Sequence, residues 1–316
     1  MGNLVLNGLT KSAFYFFDLA LEPDRVISNF LFNQPHHLFL QSKRGWRIFG
    51  FTWKGKTVAQ IAFHIKGKEA RSPRRAPFGS LQLDGHIGEK QLLFFLTNIE
   101  RILRQEGIRN VVIQNYPEIY NPITTQLLLK TLNVLGFTVK TQVASAIHVD
   151  QKDFASKIRI SKRQRLRKSE ARFQFEQVAV SQLSNVYRFI ETCRLQKNQA
   201  LSMSLSQLRK AVKTFPNDFL LFEVKEGKQR VSAAIVVRVS KAVLYTFYYA
   251  HDKAYDKLSP VVFLLAGIYS FAQTSKIEWV DLGTSMSGEK VNVPLLHFKE
   301  SVGGKHSPKF IFEKTI

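Results

Sequence analysis

The strongest constraint on this chain is that it reads twice. "WRIFGFTWKGKTVAQIAFHI" (46–65) has the alternation and central glycine turn of a two-stranded hairpin, and so does "FLLFEVKEGKQRVSAAIVVRV" (219–239). Each is followed by a polar break containing proline and then by an apolar helix pattern, "EKQLLFFLTNIERILRQEG" (89–107) or "PVVFLLAGIYSFAQTS" (260–275). A buried-strand pattern comes next, "IRNVVIQN" (108–115) or "KIEWVDLGT" (276–284). Each series closes on a helix that ends at glycine, "TTQLLLKTLNVLGF" (124–137) or "PLLHFKESVGG" (294–304). Matching elements stand roughly 170 residues apart, and four matches in one order predict two domains of one fold. The order strand, strand, helix, strand, helix predicts α/β domains, each a mixed β-sheet flanked by helices. The expected division is 1–155 and 156–316, with the basic stretch "SKIRISKRQRLRKSEARFQFE" (156–176) leading into the second half.

With 316 residues, 45% of them hydrophobic, the chain has material for two cores. Its formal net charge of +22 predicts a surface that attracts anions, whether nucleic acid, anionic membrane or phosphate-bearing substrates, although a generally basic proteome gives the same excess. Cys193 is the single cysteine, which excludes an internal disulfide and a cysteine zinc cluster and favours a reducing compartment. No apolar run approaches the roughly 20 residues that span a bilayer. The opening residues lack the basic head and cleavage site of a secretory signal, and Leu6 stands where a myristoylation signal needs serine or threonine. A cytoplasmic protein is expected.

Near the C-terminus, "PLLHFKESVGGKHSP" (294–308) reads as a short helix. Pro294 starts it, Leu295, Phe298 and Val302 form a buried stripe, and Gly303 and Gly304 stop it. Lys299 falls at the edge of that stripe, either as a lysine snorkelling from a core edge or as a cation held at a site. The larger segment "WVDLGTSMSGEKVNVPLLHFKESVGG" (279–304) resembles the closing portion of the Fem-type family of tandem GNAT (N-acetyltransferase-like) proteins. The matching residues are Asp281, Leu282, Gly283, Phe298, Lys299 and Gly303, with Thr284 replacing the second glycine of the family's pair. "LYTFYYAHDKAYDKLSPVVFLLAGIYSFA" (244–272) looks like the strand, loop and helix that precede it in that family.

The resemblance implies a transferase that moves an acyl or aminoacyl group from acyl-CoA or aminoacyl-tRNA to an amine, with no tightly bound cofactor. It implies that Lys299 stabilises negative charge on the acyl oxygen, and that a tyrosine of the Tyr248–Tyr249 pair assists proton transfer, while core packing stays open as the role of each. Within the matching stretch Gly283 and Thr284 are candidates for the donor and Asp281 for substrate, and Ser259 joins the donor candidates on its place at a helix start. The acceptor is then an amine-bearing small molecule or a cell-envelope precursor. The chain departs from ordinary GNAT enzymes in lacking their glycine-rich CoA loop; "YDKLSP" (255–260) stands there instead.

Other candidates come from the residues themselves. Ser259 and Pro260 make a helix start whose free N–H groups suit a phosphate. Arg71, Arg74 and Arg75 lie among Pro and Gly, either as an exposed basic loop or as a clamp on phosphate or carboxylate. Within 156–176, Arg163, Arg165, Arg167 and Lys168 form a solvated basic helix or a tRNA-contacting face. The histidines, including His36, His37 and His64, show no metal-ligand spacing, so no metal is assigned. Two further readings stay open: a basic nucleic-acid-binding protein without catalysis, and a GNAT-like scaffold that has lost activity.

Overall fold

A computed structural model describes residues 12–20, 22, 26–83 and 87–316. The segment 1–11, with Gly2 and Leu6, lies outside the described residues. The chain divides into two compact units, residues 1–142 with 308–316, and residues 143–307.

In the first unit the elements are β1 (Ser12–Asp18), α1 (Pro35–Gln41), β2 (Trp46–Trp53), β3 (Lys56–Lys66), β4 (Glu69–Ser72), β5 (Gln82–Leu83), α2 (Glu89–Gln105), β6 (Asn110–Gln114) and α3 (Pro122–Val134). β1 through β4 pair antiparallel in chain order. The β4–α2–β6 connection makes β4 and β6 parallel, as a helical crossover requires. Hairpin β2–β3 turns at Lys54–Gly55, both in the left-handed region that favours glycine. The buried apolar side chains of α2 fall at Leu92, Phe95, Leu96, Ile99, Ile102 and Leu103, the spacing of one helical face, and they pack on Phe49, Phe51, Ile61 and Phe63 of the hairpin.

β7 (Thr138–His148) crosses into the second unit, which continues with α4 (Phe154–Lys157), α5 (Ile160–Glu170), β8 (Gln174–Val178), α6 (Leu183–Leu195), α7 (Leu205–Thr214), β9 (Phe219–Glu226), β10 (Gln229–Arg238), β11 (Val243–His251), α8 (Pro260–Thr274) and β12 (Trp279–Thr284). A two-stranded ribbon, β13 (Met286–Ser287) with β14 (Lys290–Val291), precedes α9 (Val293–Ser301) and the last strand β15 (Lys305–Thr315). β8 through β11 pair antiparallel, and β11–α8–β12 again makes a parallel pair. Phe222, Val224, Val231, Ala234 and Val236 of the sheet pack on Leu264, Leu265 and Ile268 of α8.

Both units are therefore mixed sheets of matching order flanked by helices. Their boundaries differ from a division at 155/156 for a definite reason. The strand that closes each sheet comes from the chain after the other unit's final helix. Ile311–Thr315 pairs antiparallel with Asn110–Gln114 in the first unit, and Ala144–His148 of β7 pairs antiparallel with β12 in the second. Residues 156–176 are built into the second unit, since Ile158, Leu166 and Phe173 are buried in its core.

Candidate active site

The second unit opens between its two parallel strands. β11 and β12 are in register only from Val243 with Trp279 to Tyr245 with Asp281. Past that point the Thr246 hydroxyl donates to the Asp281 carbonyl at 2.9 Å. On its other edge β12 loses register with β7 between Asp281 and Thr284. Gly283 takes φ +75° there, a conformation that costs other residues a clash with Cβ. The end of β12 is thus left with carbonyls that the ladder does not use, and buried carbonyls demand partners.

Lys299 provides them. Its Nζ donates to the carbonyl oxygens of Gly283 and Thr284, each at 2.8 Å. The side chain is 1% exposed, deeper than the sequence pattern predicts. The expected stripe is correspondingly rotated: Val302 is buried, while Leu295 and Phe298 are half-buried and line a cavity. The helix turns Lys299 inward because two buried carbonyls wait for an ammonium, a stronger requirement than the apolar pattern. Burial lowers the Lys299 pKa to about 8 against the opposing pull of Asp281. Asp281 is itself buried, and its Oδ1 accepts from the Gly283 N–H at 2.6 Å. Asn292 caps α9 by accepting from the Leu295 N–H, and Gly304 N–H closes the helix on the Lys299 carbonyl.

Beside this arrangement lies a cavity of about 390 Å³. The end of β11 lines it with Tyr249, Ala250 and His251, α8 with Val261 and Val262, and α9 with Leu295 and Phe298. Lys162, Arg194 and Lys197 add three cations, against one carboxylate, Asp256. The Lys162 ammonium sits 5.3 Å from the Phe298 ring centre, and burial together with Arg165 lowers its pKa. Lys299 is not among the lining residues; it stands next to Phe298 in the helix, which is.

The other expected residues are distributed as follows. Tyr249 lines the cavity, with the Arg194 guanidinium 6.0 Å from its ring centre, and burial raises its pKa. Tyr248 is buried; its hydroxyl is 2.6 Å from Ser202 Oγ and accepts from the Met203 N–H at 2.9 Å. Ser259 precedes α8 but does not cap it. It sits in the left-handed region, φ +51°, and its Oγ accepts from Arg165 at 2.8 Å, so the hydroxyl hydrogen stays available at the cavity wall. Arg163 donates to the Ala155 carbonyl, which leaves Arg167 and Lys168 as exposed cations of α5.

Arg71, Arg74 and Arg75 lie in the first unit, where Arg71 pairs with Glu69 at 3.7 Å and the Arg74 and Arg75 N–H groups donate to Gln41 Oε1. Sequence reading missed His251 and Asp256, 2.6 Å apart, and also Tyr245, whose ring would lie 3.4 Å from a Cβ at Gly283. Among the described residues no group of acidic, His or Cys side chains has metal-binding geometry, and no helix is long and apolar enough to cross a membrane.

Residues 156–292 match the family described as acetyltransferase (GNAT) domain. No curated protein sequence matches. Among solved structures, FemX aligns over 100% of this chain and 98% of its own, with a TM-score of 0.69 and 13% identity. L-PGS from Bacillus licheniformis aligns over 88% of this chain and 86% of its own, with a TM-score of 0.56 and 13% identity. A tandem GNAT protein from the clavulanic acid biosynthesis pathway aligns over 96% and 98%, with a TM-score of 0.51 and 8% identity. At these identities the likeness is one of fold, and it spans both units.

Proposed function

We propose, on the premise that residues 156–292 belong to the acetyltransferase (GNAT) domain family within a tandem GNAT fold shared with FemX, that the protein transfers an acyl or aminoacyl group to an amine. The observation that carries this reading is the cavity beside the α8 N-terminus, where β11 has parted from β12 and three cations face one carboxylate. A phosphate-bearing donor suits it. The helix N-terminus and the Ser259 hydroxyl offer hydrogen-bond donors, and Lys162, Arg194 and Lys197 offer charge. Acyl-CoA and aminoacyl-tRNA both carry such phosphates on the leaving group of an activated acyl carbon.

Within this reading, Tyr249, Leu295 and Phe298 exclude water from the acyl group and orient it. Lys299 supplies the fixed positive charge at the end of β12. Two of its N–H groups hold Gly283 and Thr284, and although Lys299 does not line the cavity, its charge beside it offsets negative charge developing on the acyl oxygen. Asp281 keeps that charge in place by fixing the Gly283 turn. Tyr248, tied to Ser202 and Met203, supports β11 instead of touching substrate.

The test pairs donors with amines. Purified protein is incubated with labelled acetyl-CoA, or with bulk tRNA charged with labelled amino acids, and with glucosamine, lysine methyl ester and ethanolamine. The reading predicts amide-linked label from one donor class and a thermal shift with the same donor. The absence of both transfer and a thermal shift with every donor would refute it.

A further inference from the structure

One pair in the cavity has no part in the mechanism above. His251 ends β11, and Asp256 lies in the 3-10 turn Lys253–Leu258 that leads to α8. His251 Nε2 and Asp256 Oδ1 are 2.6 Å apart. The turn that carries Asp256 is pinned: Asp252 accepts from the Ala254 N–H at 3.0 Å, and the Ser259 N–H donates to the Asp256 carbonyl at 3.2 Å. A carboxylate only accepts, so Nε2 carries the ring hydrogen and the lone pair lies on Nδ1. Both residues line the cavity that α9 lines through Leu295 and Phe298.

Surroundings decide the charge of this imidazole. Burial and Lys197 lower the His251 pKa, while Asp256 and Asp252 pull it up, with a net lowering. Lys162, Arg194 and Cys193 line the same cavity, and burial raises the Cys193 thiol. The ring is therefore neutral at pH 7, the form that accepts a proton. A cavity-lining histidine oriented by a third group, with its other nitrogen holding a lone pair, is the arrangement of a general base.

We propose that His251, oriented by Asp256, takes the proton from the amine that attacks the acyl group, a role that rests on the transferase reading above. The amine lone pair forms the C–N bond and one N–H proton passes to His251 Nδ1. The bond from the acyl carbon to the leaving sulfur or oxygen breaks with its electron pair. The proton held by His251 then neutralises that leaving group, which restores the free imidazole.

The experiment follows kcat/KM against pH for wild type, His251→Gln and Asp256→Asn, using the donors and amines named above. Wild-type activity is expected to fall on acidification, through a value below that of an ordinary histidine. His251→Gln is expected to lose about 100-fold or more in kcat, lose that acid limb, and regain activity with added imidazole. Asp256→Asn, at a carboxylate 54% exposed, is expected to lower kcat with little change in KM. Transfer by wild type together with an unchanged rate and pH profile in His251→Gln would overturn the proposal and leave the transferase reading standing. A rise in KM alone, with kcat intact, would overturn it equally. Absence of transfer in wild type with every donor would end both.

Discussion

The ammonium of Lys299 stands 2.8 Å from the carbonyl oxygen of Gly283, a residue held at φ +75°. The two positions depend on each other. The turn at Gly283 frees a carbonyl that the sheet no longer pairs, and the lysine is the donor that makes its burial tolerable. A cation 1% exposed, tethered to the end of a strand beside a cavity, is fixed before any substrate arrives.

Gly283→Ala should therefore be felt at the lysine. A Cβ there meets the Tyr245 ring at 3.4 Å, an ordinary contact, so the cost lies in the backbone. Forcing an L-residue into the left-handed region costs about 1 kcal/mol, which in a domain of this size lowers Tm by about 2–4 °C. Calorimetry checks the size. A variant as stable as wild type would show that the turn relaxes freely.

Stability should respond to pH through the same group. Folding lowers the Lys299 pKa from 10.5 to about 8, so the unfolded chain binds more protons between those values. Stability then rises with pH across that window, and the cost of holding the charge, up to roughly 3 kcal/mol, is fully present below it. Urea midpoints from pH 7 to 10.5 should rise in wild type relative to Lys299→Met. Parallel curves for the two proteins would contradict the assignment.

At the other end of α9, Gly304→Ala places a Cβ 2.8 Å from the Lys299 carbonyl oxygen, a backbone atom that cannot swing aside. The helix end must shift. We expect a loss of about 1–3 kcal/mol and a drop in whatever transfer activity the protein shows. Unfolding curves and the donor assay read both.

If the donor is a tRNA, its backbone should meet the exposed side of α5. Arg163 and Arg165 already serve the Ala155 carbonyl and Ser259, so Arg167 and Lys168 give the cleaner test. Replacing both with glutamine should weaken tRNA binding evenly across sequences and reduce the salt slope by about 1 for each phosphate no longer neutralised. An unchanged slope would remove α5 from the interface.

Much of the fold was legible because its signals are local. Gly55 and Gly227 each sit at φ > 0 in the turn of a hairpin, and the apolar spacing of α2 points one face at the sheet. The strand exchange was not legible, since nothing in "KFIFEKT" says which of two similar sheets it will close. Lys299 was found, but its depth was hidden, because the carbonyls that draw it inward are freed by a register change between β12 and β7. His251 and Asp256 escaped notice for a related reason. A spacing of five residues, from a strand end into a 3-10 turn, matches neither helical nor strand periodicity, although "HDKAYDKLSP" places both just before a helix start. The cavity's cations come from α5, from α6 and from the residues just after it, and only folding gathers them.

The most direct test of the account is the rate of group transfer by Lys299→Met beside wild type, at pH 7 and again across pH 8. Methionine keeps the apolar stem and removes the charge. The account predicts a loss of about 100- to 1000-fold in kcat for the variant, with the fold retained by circular dichroism. It also predicts a wild-type rate that declines as pH rises through about 8, where Lys299 loses its proton. A variant that transfers at the wild-type rate and keeps the wild-type alkaline profile would contradict it, and would leave Lys299 as a buried tie between α9 and the end of β12.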